Sequence, residues 1–251
     1  MKSFFKCALL FTVIFGLMAH TTPVKKIKVY LIGDSTMAKK NTSAYPETGW
    51  GMPFIHFFDS TVEIENHARN GASTKTFISE GRWQPVYENM KDGDYVLVQF
   101  GHDDEVKTKA SYCTPDEFKA NLTRFVAEAR SRNAIPVLLT PVSRRQFTDG
   151  KAQENHQEYS PLVRALADTL NVPIIDLDVK SRELYTELGE DKSKLLFLHL
   201  NPFEHPNYPN GKSDNTHFNE LGARKIAQIV LTEIVALRLE LANRIVKSER
   251  K

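Results

Sequence analysis

Three residues of this chain, Ser35, Asp214 and His217, have the types and order that acyl transfer needs. A serine hydroxyl attacks a carbonyl when a base takes its proton, and the base in turn needs an acid to fix its tautomer and stabilise its cation. His217 supplies the base and Asp214, three positions earlier, the acid. Ser35 is the candidate nucleophile because of where it stands. The run from Lys26 to Met37 is β-branched and aromatic until Gly33-Asp34-Ser35 interrupts it, which is the pattern of a strand ending in a tight turn. Ligands of open α/β sheets bind beyond the carboxyl ends of the strands, so Ser35 is expected at the mouth of that crevice. Taken singly, these residues also read as a turn serine, a capping aspartate and a surface histidine. Their occurrence together favours chemistry.

The elements that must position them follow from periodicity. Val62 to Ala68 alternates as a second strand, Tyr95 to Phe100 is a continuous apolar run suited to a strand buried on both faces, and Ile135 to Thr140 and Val172 to Leu177 complete the set. Helical patterns intervene. Met52 to Phe58 has Pro53 in its first turn, Thr114-Pro115-Asp116-Glu117 opens a helix running to about Arg132, and Tyr159 to Leu170 is the next. A final helix, capped by Thr216 or Asn219, keeps Leu221, Ile226, Ile229, Val230, Ile234 and Leu237 at helical spacing. Strand and helix alternate, which predicts an α/β three-layer sandwich around a five-stranded parallel sheet. The stretch from Leu195 to Asn215, with Pro202, Pro206, Pro209 and Gly211, reads as a groove-shaping loop. Apolar residues after Arg238 are expected to fold back onto the domain rather than to form a self-association surface.

At 251 residues and 41% hydrophobic, the chain can bury a full core as one domain over residues 24–251. Residues 1–20 carry Lys2 and Lys6, an apolar run from Ala8 to Met18, and Ala19, the layout of a secretory signal peptide and too short to span a membrane. A secreted or periplasmic location is therefore expected. The formal charge is +2, and both excess positives lie in the leader. Neither a basic stripe nor a basic amphipathic helix points to nucleic acid or a membrane surface as partner. Without the leader only Cys113 remains, so no internal disulfide is expected. The histidines and carboxylates lack the spacing of a dedicated metal site.

Several ordered blocks carry a resemblance: Ile-Gly-Asp-Ser-Thr (32–36), Gly-Trp-Gly (49–51), Asn-His-Ala-Arg-Asn-Gly (66–71), Glu-Gly-Arg-Trp (80–83), Gln-Phe-Gly-His-Asp-Asp-Glu (99–105) and Asp-Asn-Thr-His-Phe (214–218). Over most of its length the chain resembles the GDSL or SGNH hydrolases, and among them the rhamnogalacturonan acetylesterases. The resemblance implies a flavodoxin-like fold and a cofactor-free esterase that deacetylates a plant cell-wall polysaccharide; with the apolar tail folded back, a monomer is expected. It also implies an oxyanion hole formed by the backbone N–H groups of Ser35 and Gly71 and by the side chain at position 103. There the chain departs from the family pattern, with Asp103 in place of asparagine. A carboxylate cannot donate to an oxyanion, so Asp103 must be protonated, turned away or harmful. Trp50 and His102 are candidate substrate-binding residues, Trp50 reading either as a sugar platform or as a core-edge aromatic. The rival readings are a lipase or thioesterase of the same superfamily and a sugar-binding pseudoenzyme weakened at Asp103.

Overall fold

The computed structural model describes residues 25–246; the expected signal peptide lies outside them. Its centre is a parallel sheet of β1 (Ile27–Gly33), β2 (Val62–Asn66), β3 (Tyr95–Gln99), β4 (Ile135–Leu139) and a short outer strand at Ile174–Ile175. A small antiparallel hairpin, β5 (Phe147–Thr148) and β6 (Lys151–Ala152), precedes that outer strand, which is therefore β7. The order across the sheet is β2-β1-β3-β4-β7, and all five strands run parallel, as the alternation of elements predicts.

Side chains leave alternate faces of a strand, and both faces here are buried. Val29 and Leu31 of β1 enter one core together with Leu97 and Val137, whereas Tyr30 and Ile32 enter the other with Val96, Val98 and Leu138. The first core is covered by α1 (Gly51–Phe54), α6 (Leu177–Ser193) and α7 (Glu220–Ala236), through Phe54, Tyr185, Ile226 and Val230. The second is covered by α2 (Thr74–Ser79), α3 (Trp83–Asn89), α4 (Pro115–Ser131) and α5 (Tyr159–Leu170), through Phe77, Trp83, Phe125 and Val163.

Local chemistry sets the boundaries. Thr114 and Glu117 exchange side-chain and backbone bonds in a capping box at the start of α4, and the Asn219 side chain accepts from the Gly222 N–H to open α7. The last strand of the sheet is shorter than Val172 to Leu177 because it is capped from both sides. Asn171 takes a left-handed conformation to end α5, while the Asp176 carboxylate accepts from Val179 N–H to begin α6. The stretch read as a loop from Leu195 to Asn215 instead forms a hairpin of β8 (Phe197–Leu200) and β9 (Lys212–Phe218).

Beyond α7 the chain folds back as expected. Leu241 is fully buried, Ile245 bridges to Phe58, and the Arg244 guanidinium donates to the Lys25 carbonyl at 3.2 Å and to Thr61 Oγ1 at 2.8 Å. These contacts lie at the end of the sheet where the strands begin.

Candidate active site

The turn after β1 is built around Asp34. Its Oδ1 accepts from Thr36 N at 2.9 Å and Thr36 Oγ1 at 2.7 Å, and its carbonyl accepts from the N–H groups of Met37 and Ala38. Behind it, Gln99 at the end of β3 donates to Thr36 Oγ1 at 2.6 Å and accepts from the Trp50 indole at 2.7 Å. A Cβ on Gly33 would lie 2.5 Å from the Gln99 carbonyl, so only glycine lets the two strands end this close together. Ser35 is thus held on a buried polar scaffold and is itself 8% exposed.

The three sequence-predicted residues meet. Ser35 Oγ lies 2.9 Å from His217 Nε2, and His217 Nδ1 lies 2.9 Å from Asp214 Oδ2. The carboxylate beside Nδ1 keeps the proton there and leaves Nε2 free to accept from serine. Asp214 Oδ1 also accepts from the backbone N–H groups of Thr216 and His217. Partial burial opposes ionisation of Asp214, but the His217 bond and these two N–H groups outweigh it and hold the carboxyl far below the usual range.

Asp214 and His217 ride on β9, whose position is fixed by polar contacts. Arg145, buried just past β4, donates from its backbone N–H to the Asn215 carbonyl at 2.8 Å and from its guanidinium to Asn215 Oδ1 at 3.1 Å. His199 on β8 pairs with the same Oδ1 at 2.8 Å. Neither Arg145 nor Gln99 is among the site residues expected from the sequence. Gln99, a lone amide closing an apolar strand, carried a signal; Arg145 carried none.

Past its last pairing residue, the β2 chain continues alongside the end of β1, with Arg69 N–H donating to the Gly33 carbonyl at 3.0 Å. Gly71 follows that contact by two residues, as Ser35 follows Gly33. Gly71 is exposed at φ +75°, and among the described residues neither its N–H nor that of Ser35 donates to a protein acceptor. The two free donors suit an oxyanion.

Asp103 offers no donor: its Oδ1 accepts from Lys109 Nζ at 2.7 Å. Its neighbour Asp104 points away into the fold, accepting from Thr74 N, Thr74 Oγ1 and Gly101 N. Burial raises the Asp104 carboxyl to about 7 against the pull of these donors.

Two expectations are corrected. Trp50 is no sugar platform; it is fully buried, packed edge-on against Phe54, and spends its N–H on Gln99. His102 is also withdrawn from the surface, at 4% exposure, with Nε2 donating to the Val142 carbonyl and its ring against His156. Burial, then the charges of His156 and Arg144, hold it well below the usual histidine value, so it is a neutral wall of the crevice. Among the described residues no group of three or more His, Cys, Asp or Glu is placed to hold a metal ion, and no helix is long and apolar enough to cross a membrane.

A nucleophile-bearing turn at the end of the first strand, met by a histidine from outside the sheet, is the layout of a serine hydrolase. The chain belongs to the GDSL-like Lipase/Acylhydrolase family, whose profile matches residues 31–225, and it is a carboxylic ester hydrolase. It is 43% identical over 229 residues to the rhamnogalacturonan acetylesterase RhgT of Bacillus subtilis, covering 90% of this chain and 97% of that one. It is 34% identical to the probable rhamnogalacturonan acetylesterase YesY of the same organism, covering 87% and 97% respectively. The crystal structure of Bacillus subtilis YxiM superposes with a TM-score of 0.76 at 25% identity, covering 87% of this chain and 58% of that one.

Proposed function

We propose that this protein is an exported, monomeric carbohydrate acetylesterase that removes acetyl groups from a plant cell-wall polysaccharide, with rhamnogalacturonan as the polymer. The observation that carries the reading is the continuous relay from Ser35 through His217 to Asp214, at 2.9 Å for each step. Identity to RhgT across nearly the whole of both chains supports the polymer. A cavity of about 930 Å³ is lined by residues such as Tyr45, Met52 and Arg224 and does not include Ser35, Gly71 or His217. Similarity to acetylesterases along nearly the full chain favours a small acetyl group over the long acyl chain of a lipase substrate. The apolar residues after Arg238 that pack on the chain's own core support a monomer.

In this mechanism Ser35 Oγ attacks the acetyl carbonyl as His217 Nε2 takes its proton. The Ser35 and Gly71 N–H groups hold the resulting oxyanion. Collapse expels the sugar hydroxyl, which takes the proton from His217 and leaves acetyl-Ser35. Water, deprotonated by His217, then attacks the acyl carbon; the bond to Ser35 breaks, Oγ takes the proton back from His217, and acetate is released. Asp214 stays ionised throughout and stabilises the imidazolium.

Acetate release from acetylated rhamnogalacturonan, measured beside acetylated xylan and a long-chain acyl ester, tests the substrate. Preference for the xylan or the lipid ester overturns it. Export is tested by N-terminal sequencing from the native host, with a mature start expected between about residues 19 and 24. An intact Met1 on cytosolic protein would refute it.

A further inference from the structure

Acyl transfer at Ser35 creates negative charge on the carbonyl oxygen, and a carboxylate close by raises the barrier. Asp103 stands at the end of the sheet from which Ser35 also projects. Gly33 of β1 pairs with Gln99 of β3, so the two strand ends lie together, with Ser35 two residues beyond one and Asp103 four beyond the other. The Asp103 side chain is 7% exposed, which leaves little water to screen it. Its charge reaches Asp34, whose ionisation it opposes behind the larger effect of burial.

After Asp103 the chain doubles back through a series of turns. Glu105 N–H donates to the Gly101 carbonyl, Lys109 N–H to Val106, Tyr112 N–H to Lys109 and Cys113 N–H to Asp104, all between 2.9 and 3.1 Å. Ser111 Oγ donates to the Asp103 carbonyl at 3.3 Å. The outcome of this folding is that Lys109 Nζ sits 2.7 Å from Asp103 Oδ1, and among the described residues the ammonium has no other anionic partner.

We propose that Lys109 is a positioning residue for the esterase reaction, which neutralises Asp103 and occupies its Oδ1 so that the oxyanion forms beside an ion pair and not beside a bare carboxylate. This rests on the esterase reading above. An ordinary surface ion pair contributes little to stability and nothing to turnover. The pair described here differs because its acid is buried at the reacting end of the sheet. The chain thereby keeps turnover with an aspartate at a position where an amide donor would serve directly.

A double-mutant cycle read in kcat and KM on one chromogenic acetyl ester tests it. Lys109→Gln is expected to lower kcat about 10- to 100-fold, somewhat less than the loss of an oxyanion donor, with KM changed less than about twofold. Lys109→Arg, which keeps the charge, is expected within about threefold of wild type. In an Asp103→Asn background the added Lys109→Gln is expected to change kcat less than about threefold, since no carboxylate remains to be neutralised. Lys109 is half exposed, so these variants fold, and thermal melts verify it. An equal cost of Lys109→Gln in both backgrounds, no cost in the wild type, or an arginine variant as slow as the glutamine one overturns the inference. Wild-type turnover that disappears in Ser35→Ala is measured first. If it is absent, the esterase reading falls and takes this inference with it; if it is present and Lys109 is inert, the inference falls alone.

Discussion

Ser35 leaves β1, a strand with six of its seven residues buried, whereas His217 and Asp214 are carried by β9, where one residue of seven is buried. One half of the site is fixed by apolar packing on both faces of a sheet; the other is fixed by polar clamps from Arg145, His199 and Asn219. The carboxylates of the two halves diverge accordingly. Asp34 and Asp104, at the strand ends, are pushed up by burial, while Asp214 on the hairpin is pulled down by its histidine and two backbone donors. The contrast teaches that the nucleophile and the acid–base pair can be perturbed separately, one through stability and the other through geometry.

The largest effects come from cutting the link between the halves. Ser35→Ala or His217→Ala is expected to lower kcat on the order of 10⁵- to 10⁶-fold, and Asp214→Ala about 10⁴-fold, because the aspartate only orients and stabilises. Steady-state rates settle the ranking, and near-wild-type turnover in either of the first two breaks the relay. Next comes Gly71→Ala. Its φ of +75° is strained for any side chain although the space is open, so the loop shifts, the donor moves and kcat falls about 10- to 100-fold with little change in melting temperature.

Asn215→Ala and Gln99→Leu then sharpen the comparison directly. Loss of the Asn215 amide removes the contacts with the Arg145 guanidinium and His199 and leaves only the backbone bond from Arg145, with an expected tenfold drop in kcat, about 1.4 kcal/mol, and little loss of stability. Loss of the Gln99 amide leaves the Trp50 N–H buried without an acceptor, at a cost of about 1–3 kcal/mol in urea unfolding. If the two variants show the same balance of rate and stability, the halves are not built differently.

The last effect is electrostatic and is read in stability as a function of pH. The folded Asp104 carboxyl titrates at about 7, above its unfolded value of about 3.9, so the folded state binds the extra proton between them. Its contribution to stability is complete below about pH 3.9 and is lost as pH rises towards 7. Asp214 has the opposite sign, but its contribution is constant above about pH 5. Urea midpoints measured from pH 5 to 8 should therefore fall for wild type relative to Asp104→Asn, on the order of 2 kcal/mol over that span. Parallel curves would show that Asp104 is already ionised at pH 5.

The same division explains what the amino-acid sequence revealed. β1, β3 and β4 are legible because a strand buried on both faces must be an apolar run, and α4 and α7 because Thr114 and Asn219 announce them. The hairpin was not, since Lys-Ser-Asp-Asn-Thr-His-Phe has no alternation and becomes a strand only by pairing with β8. Gly189, at φ +77°, interrupts α6 and obscured its periodicity. Ser35, Asp214 and His217 were legible as chemical types in a suitable order. Trp50 and His102 were misplaced because residue type does not say which way a side chain points. Arg145 was missed because its meeting with Asn215, seventy positions away, exists only in the fold.

The clasp between Arg244 and Lys25 bears on how the molecule can be handled. It joins the two edges of the described chain at the pole where the strands begin, while Ser35, Gly71 and His217 open at the other. A solid support coupled at Lys25 or Arg244 would be attached at the pole opposite the crevice. A bulky polymer could then still approach a tethered enzyme, and a linker of a few residues between these positions would suffice for a circularly permuted variant with new ends in a surface loop.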